Sequence, residues 1–213
     1  MSNVNGALPV RGKTLLSGND SRTLTATMAV DREGSLMEFD DIDPAATSGA
    51  KSKRSNRKVT CMLVRNEAAA AILGKRVVKW KSGQRGHQID GYCASTNEAC
   101  AGISDEFLGS AGAAVHDLFW IAVKGPTLVL TPLEGDATNV INLDDVLGAL
   151  TAATSGATTS GRVRVNALTA TSTATTDGSQ GNVLMNSFGR AMSAKTTANT
   201  NADLLVDTFF LKG

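Results

Sequence analysis

Aromatic residues are scarce: six Phe, two Trp and one Tyr make up 4% of the chain. That scarcity argues against surfaces built on stacked rings, such as a nucleic-acid platform or a receptor-binding fibre tip. Only two histidines occur, His87 and His116, so a metal centre or a general base has few ligands to draw on. Neither sign of charge is in surplus. Lys and Arg number 21 against 20 Asp and Glu, which gives no electrostatic pull toward nucleic acid or a membrane surface. The longest apolar runs, AAAAIL (68–73) and FWIAV (119–123), are far too short to span a bilayer. The opening MSNVNGALPVRGKT has no apolar h-region, so no signal peptide is expected. Cysteines number three, an odd count that reads as free thiols in a reducing cytoplasm.

Glycine is plentiful, at 21 residues, with abundant Ala, Thr and Ser. Small and β-branched residues punctuated by glycine suit short strands and many turns. The expected class is all-β with one or two short helices. Strands are expected at 58–65, 76–81, 99–105, 118–124, 127–131 and toward the C-terminus from 203. Helices are expected at 66–74, with Asn66 as cap, Glu67 in the first turn and Gly74 as stop. A second is expected at 142–150, with Asn142 as cap and Asp144 and Asp145 behind it. Residues 1–58 read as an extended N-terminal arm, polar and glycine-dotted, with an alternating piece at 22–30. The remainder divides into two β-units, 59–150 and 151–213, as barrels or sandwiches.

An internal echo motivates that division. RVVK begins at Arg76 and RVRV at Arg162. An Asp-Gly turn recurs at Asp90 and Asp177, and a strand glycine at Gly102 and Gly189. An Asp-Leu step opens an apolar strand at Asp117 and again at Asp203. All are spaced by about 87 residues. Cys93, Cys100 and His87 have no counterparts at that spacing, so the repeated feature is architecture.

Candidate chemistry is thin. Cys93 and Cys100 stand seven apart, outside any metal-knuckle or redox spacing, and read as small strand hydrophobes. A Cys–His nucleophile is not supported by a nucleophile elbow or an oxyanion loop. RGKT (11–14) resembles the end of a phosphate-binding loop, but the glycine such a loop needs falls on Ala7. Asp105 and Glu106 are adjacent, so on a strand they point to opposite faces and cannot act as a carboxylate pair. No catalytic, cofactor or metal residues are assigned. The run KSKRSNRK carries Lys51, Lys53, Arg54, Arg57 and Lys58, assigned to contact with a protein partner, because an acidic cluster, EFDDIDP (38–44), stands just upstream and would repel phosphates.

The closing stretch FGRAMSAKTTANTNADLLVDTFFL resembles the last segment of tailed-bacteriophage head decoration, or capsid cement, proteins. The matching residues are Gly189, Ala191, Met192, Asp203, Leu204, Val206 and Asp207. ACAGISDEF followed by DLFWIAVKG looks like the family's inner segment, and the likeness covers roughly 75–213. It implies a non-enzymatic β-barrel or sandwich made in the host cytoplasm and carried on the capsid exterior. It also implies a homotrimer, with the major capsid protein and copies of itself as partners. The rival readings are another virion component (head fibre, tail or minor capsid protein) and a small Cys-dependent hydrolase.

Overall fold

The computed structural model describes Arg11 and residues 33–43, 53–93, 98–131, 141–149, 163–165, 187–195 and 202–210. Among these the protein is all-β, as expected, with ten strands and no helix. They are β1 (Leu36–Ile42), β2 (Lys53–Asn66), β3 (Val77–Trp80), β4 (Gln88–Tyr92) and β5 (Cys100–Ser104). There follow β6 (Leu118–Leu130), β7 (Val146–Ala149), β8 (Val163–Val165), β9 (Ser187–Ala191) and β10 (Asp203–Phe209). One sheet holds them all, in the order β1-β2-β4-β3-β5-β6-β10-β9-β7-β8.

An additional pairing of β2 with β6 closes β2-β4-β3-β5-β6 into a five-stranded barrel. The seam is a short parallel contact in which Arg65 faces Gln88 and Asn66 faces Ile89. Every barrel strand sends apolar side chains inward: Val64, Val78, Ile89, Ala101, Phe119, Ile121 and Val123 form one buried cluster with Ile72. Closure removes the exposed edges that an open sheet of this size would carry. A second cluster, with Cys61, Leu63 and Trp120, fills the outer face of β2 and β6, and Phe39 of β1 packs edge-on against Trp120.

The arrangement occurs twice. β4-β3-β5-β6 and β8-β7-β9-β10 have the same internal order, and their pairings are all antiparallel. In the first, Val77 faces Ile103, Val78 faces Gly102 and, after a register shift, Lys79 faces Cys100. In the second, Val146 faces Arg190, Leu147 faces Gly189 and, after a shift at the same step, Gly148 faces Ser187. Each ladder is preceded by a non-glycine residue at positive φ, Lys75 (61°) and Asp144 (65°). Their N–H groups donate to the carbonyls of Ser104 and Ala191. The C-terminal half of β2 pairs with β6 as the C-terminal half of β6 pairs with β10: Met62 faces Ile121, and Thr127 faces Val206.

β6 therefore ends one unit and begins the next, turning at Gly125 (φ 96°), where any side chain would collide with the Lys58 carbonyl. The cores match position for position. Val64, Ile72, Val78, Ala101, Phe119 and Ile121 correspond to Val129, Ile141, Leu147, Phe188, Leu204 and Val206. Among the described residues β8 pairs with β7 alone. The inner face of this second sheet packs on Val77 and Ile103, which point outward from the barrel.

The structure corrects several expectations. The helix expected at 66–74 is an irregular loop, because Asn66 ends β2 and its side chain is spent inside that loop. Its amide donates to the carbonyls of Ala70, Ala113 and Ala114 at 3.1, 2.9 and 3.1 Å, and its oxygen accepts from the Ala68 N–H at 3.0 Å. The helix expected at 142–150 is a turn leading into β7, and Asp145 accepts from the Asn142 N–H at 2.7 Å. The expected arm over 1–58 gives its second half to the sheet, since 36–42 and 53–58 lie in β1 and β2. The division at 150/151 moves to Gly125, and the counterpart of β3 is β7 rather than 162–165. The spacing of 87 holds for β5 and β9 and lapses earlier, because the loops within the two units differ in length. The strand expected at 22–30 lies outside the described residues. Cys93 and Cys100, expected as free thiols, are disulfide-bonded with Cα atoms 5.9 Å apart, at the contact between the two units.

Candidate functional site

The acidic and basic clusters on either side of residue 50 fold onto each other. β1 and β2 run antiparallel with Asp40 facing Lys58. The ammonium groups of Lys53 and Lys58 both reach the Asp40 carboxylate. Lys58 hydrogen-bonds Asp40 most strongly and Lys53 adds to it, holding the carboxyl below its ordinary range, and Asp40 raises Lys58 in return. Arg57 makes a two-pronged contact to Asp207 on β10, both at 2.8 Å. Of the five cations assigned to a partner, Lys53, Arg54, Arg57 and Lys58 thus have intramolecular carboxylate partners. Lys51 lies outside the described residues.

Arg54 differs from the others because it is drawn inward. Its Nε and Nη2 donate to Asp41 at 2.9 and 2.5 Å, and its Nη1 and Nη2 to Glu106 at 3.3 and 3.2 Å. Burial pulls the guanidinium down, and the hydrogen bonds to Asp41 and Glu106 outweigh it, so its proton is held more tightly than usual. Glu106 also accepts the Leu128 N–H at 3.0 Å, which ties the cluster to the bent strand β6.

A second arginine completes the group. Arg11 donates from Nε to Asp105 at 3.0 Å and from Nη2 to Glu106 at 3.3 Å. Its guanidinium lies 4.5 Å from the ring centre of Phe107 and 5.9 Å from that of Phe39. Its side chain is 6% exposed, and those of Asp105 and Glu106 are 1% and 0%. The parity argument that separated Asp105 from Glu106 is corrected here. β5 ends at Ser104, so both residues lie in the following turn, and both side chains converge on Arg11. Arg11 itself, passed over as part of a failed phosphate-loop match, is the functional residue that sequence reasoning missed.

This assembly is an anchor. Its carboxylates are occupied by guanidinium groups, and buried charges of this kind persist only when paired and hydrogen-bonded. The thiol of Cys61 is buried against it, with its pKa pushed up to about 12 by desolvation. Such a thiol is a poor nucleophile at neutral pH. His87 and Cys93 flank opposite ends of β4. His116 sits instead on Glu67 at 2.9 Å.

Between the two units, β2 and β10 part company at Lys124, which Thr60 and Phe209 both face. An open groove of about 450 Å³ lies there, lined by Glu38, Arg57, Lys58, Lys124, Asp207 and Phe209 among others. No protein-family model matches the sequence, and no curated protein matches it.

Proposed function

We propose that this protein is a non-enzymatic virion component, a decoration or cement protein on the outside of a bacteriophage head. In this reading it binds the major capsid protein and assembles with copies of itself as a homotrimer. The observation that carries the reading is where the residues of the family resemblance fall. Gly189 and Ala191 are on β9, Leu204 and Val206 are buried on β10, and Asp203 and Asp207 alternate with them on its outer side. The inner segment of the resemblance is β5 with the first half of β6. The weak motifs thus gather into corresponding strand pairs of a duplicated architecture, which supports a shared structural ancestry over chance glycine spacing.

The contact surface in this reading is the groove at the junction of the units. Arg57 and Lys58 border it in exposed ion pairs. Exposed pairs are worth little individually, so they re-pair with a partner's carboxylates at small cost. Many copies on a shell add avidity without a deep pocket. The test is co-sedimentation of the purified protein with undecorated heads, followed by location of the bound copies by cryo-electron microscopy. Saturable binding on the exterior is expected, weakened by Arg57→Glu with Lys58→Glu and by added salt. A folded protein that stays in the supernatant at every salt concentration refutes the proposal.

A further inference from the structure

We infer that the cavity beside the β3–β4 hairpin is a saccharide-binding site, in which Trp80 stacks on a sugar ring while Arg85 donates to its hydroxyl groups and Asp90 accepts from them. Three observations carry this, none of them dependent on the head-binding reading. First, the fold does not require a tryptophan there. Lys79 faces Cys100 as Gly148 faces Ser187 in the second unit, so the position matching Trp80 carries Ala149. The pairing of β3 with β4 slips between Val78 and Trp80, whereas β7 and β8 pair without a slip from Leu147 to Ala149. Such an irregularity re-aims the side chain beside it and is frequent next to functional sites.

Second, the ring is held in place and still accessible. Trp80 is half-buried and packs against the apolar cluster of the barrel. It also lines an open cavity of about 340 Å³, together with Lys79, Lys81, Arg85, Asp90 and Glu98. The Trp80 N–H donates to the Ala99 carbonyl and the Lys81 N–H to that of Gln88, which fixes the backbone beneath the ring. Third, the polar groups left over are of both kinds. Lys79 is occupied by Glu98 at 2.8 Å and Lys81 by Glu67 at 3.5 Å. Arg85 and Asp90 are exposed, and among the described residues neither side chain has a hydrogen-bond or ion-pair partner. Carboxylates in the wall disfavour a phosphate, and the cations beside them disfavour a simple cation. A neutral sugar suits the set. Its hydroxyl groups use the guanidinium donors and the carboxylate acceptor, and its C–H face rests on the indole, which joins an apolar body to a polar edge. The cavity is at the small end of the usual ligand range of roughly 300–1,000 Å³, which leaves room for a short saccharide.

The test applies the labelled full-length protein to an array of bacterial and eukaryotic oligosaccharides, and titrates the saccharides it retains against the intrinsic tryptophan fluorescence in solution. Saturable binding to a subset of the array is expected, with a fluorescence change from Trp80 and no displacement by excess inorganic phosphate. Trp80→Ala is expected to abolish binding. Because Trp80 also packs on the barrel, two exposed variants keep the test independent of folding. Arg85→Ala and Asp90→Ala are each expected to weaken binding roughly tenfold or more, as charge-assisted hydrogen bonds are lost, while thermal unfolding stays at the wild-type midpoint. An array on which the wild-type protein retains no saccharide above background overturns the inference. Saccharide binding that is unchanged in both Arg85→Ala and Asp90→Ala overturns it as well, and so does displacement by inorganic phosphate.

Discussion

Gly102 and Gly189 provide a quantitative test of the duplicated architecture. A Cβ added at Gly102 would stand 2.8 Å from the Ala122 carbonyl oxygen and 3.0 Å from Cδ1 of Ile121. One added at Gly189 would stand 2.6 Å from Cγ1 of Val206 and 2.8 Å from the Asp207 carbonyl oxygen. In each case the obstacle includes backbone of the next long strand, which rotamer changes cannot move. The strand pair must part by about half an ångström, along a ladder whose inward side chains are close-packed. Overpacking of this kind costs about 1–3 kcal/mol. Because the sites are equivalent, Gly102→Ala and Gly189→Ala should fall within about 1 kcal/mol of each other. Gly109, where an added Cβ meets nothing within 4 Å, is the reference, and Gly109→Ala should be neutral or stabilising by up to about 1 kcal/mol.

Urea unfolding at constant pH measures all three. For m near 2 kcal/mol per molar, the two strand variants lower the midpoint by roughly 0.5–1.5 M without changing the slope. If Gly189→Ala leaves the midpoint within error of wild type while Gly102→Ala lowers it, the second ladder is not packed as the first, and the equivalence fails. Equal, small effects at all three glycines would refute the claim that close strand approach fixes these positions.

Arg54→Met should destabilise the protein by about 3–5 kcal/mol, since it takes the guanidinium partner from the fully buried Asp41. Lys58→Ala, at an exposed pair, should leave the unfolding midpoint nearly unchanged in the same assay. Thiol titration should find no fast-reacting group in the native protein and one thiol, Cys61, after non-reducing denaturation. Prior reduction of Cys93–Cys100 should lower stability by about 2–3 kcal/mol through the short loop it closes. Burial raises the carboxyl of Glu67, but His116 and Lys81 lower it further, so its folded pKa is depressed. The resulting stability is present above the ordinary glutamate range, near 4.3, and is lost as pH falls through the folded value. Unfolding midpoints from pH 6 to pH 3 should therefore drop less steeply in Glu67→Gln than in wild type.

Apolar strands announced themselves in the sequence wherever they were long or doubly buried. KVTCMLVR, LFWIAVK and DLLVDTF carry β-branched and aromatic residues at strand spacing, and they became parts of β2, β6 and β10. The helix expectations failed for a local reason. Asn and Asp cap helices and loops with the same oxygen, and only the partners at Ala113 and Ala114, remote in sequence, decide that Asn66 serves a loop. The repeat was visible, but it was aligned on Arg-Val pairs. Core positions align it correctly: Ile72 with Ile141, Val78 with Leu147 and Phe119 with Leu204. Their spacing changes along the chain, because the loops between equivalent strands differ in length.

The anchor was hidden by a rule applied one residue too far. Strand parity separates Asp105 from Glu106 only while the strand continues, and β5 stops at Ser104. Charge clustering misled in a similar way. The run 51–58 reads as one surface, yet a register shift in β2 between Lys53 and Lys58 breaks the strand alternation, so that Arg54 reaches the buried Asp41 while Lys53 and Lys58 meet Asp40 outside. A usable signal was nonetheless present in the repeat. Once the units are aligned on their cores, two consecutive carboxylates stand where the other unit has Met192 and Ser193. Architecture is conserved between the units by packing, so a charged pair that appears in only one of them needs a separate cause. Buried carboxylates are costly without cations, so two of them side by side call for a second cation beside Arg54. Arg11 meets that requirement, and its distance along the sequence from the turn it serves is the reason no local motif could reveal it.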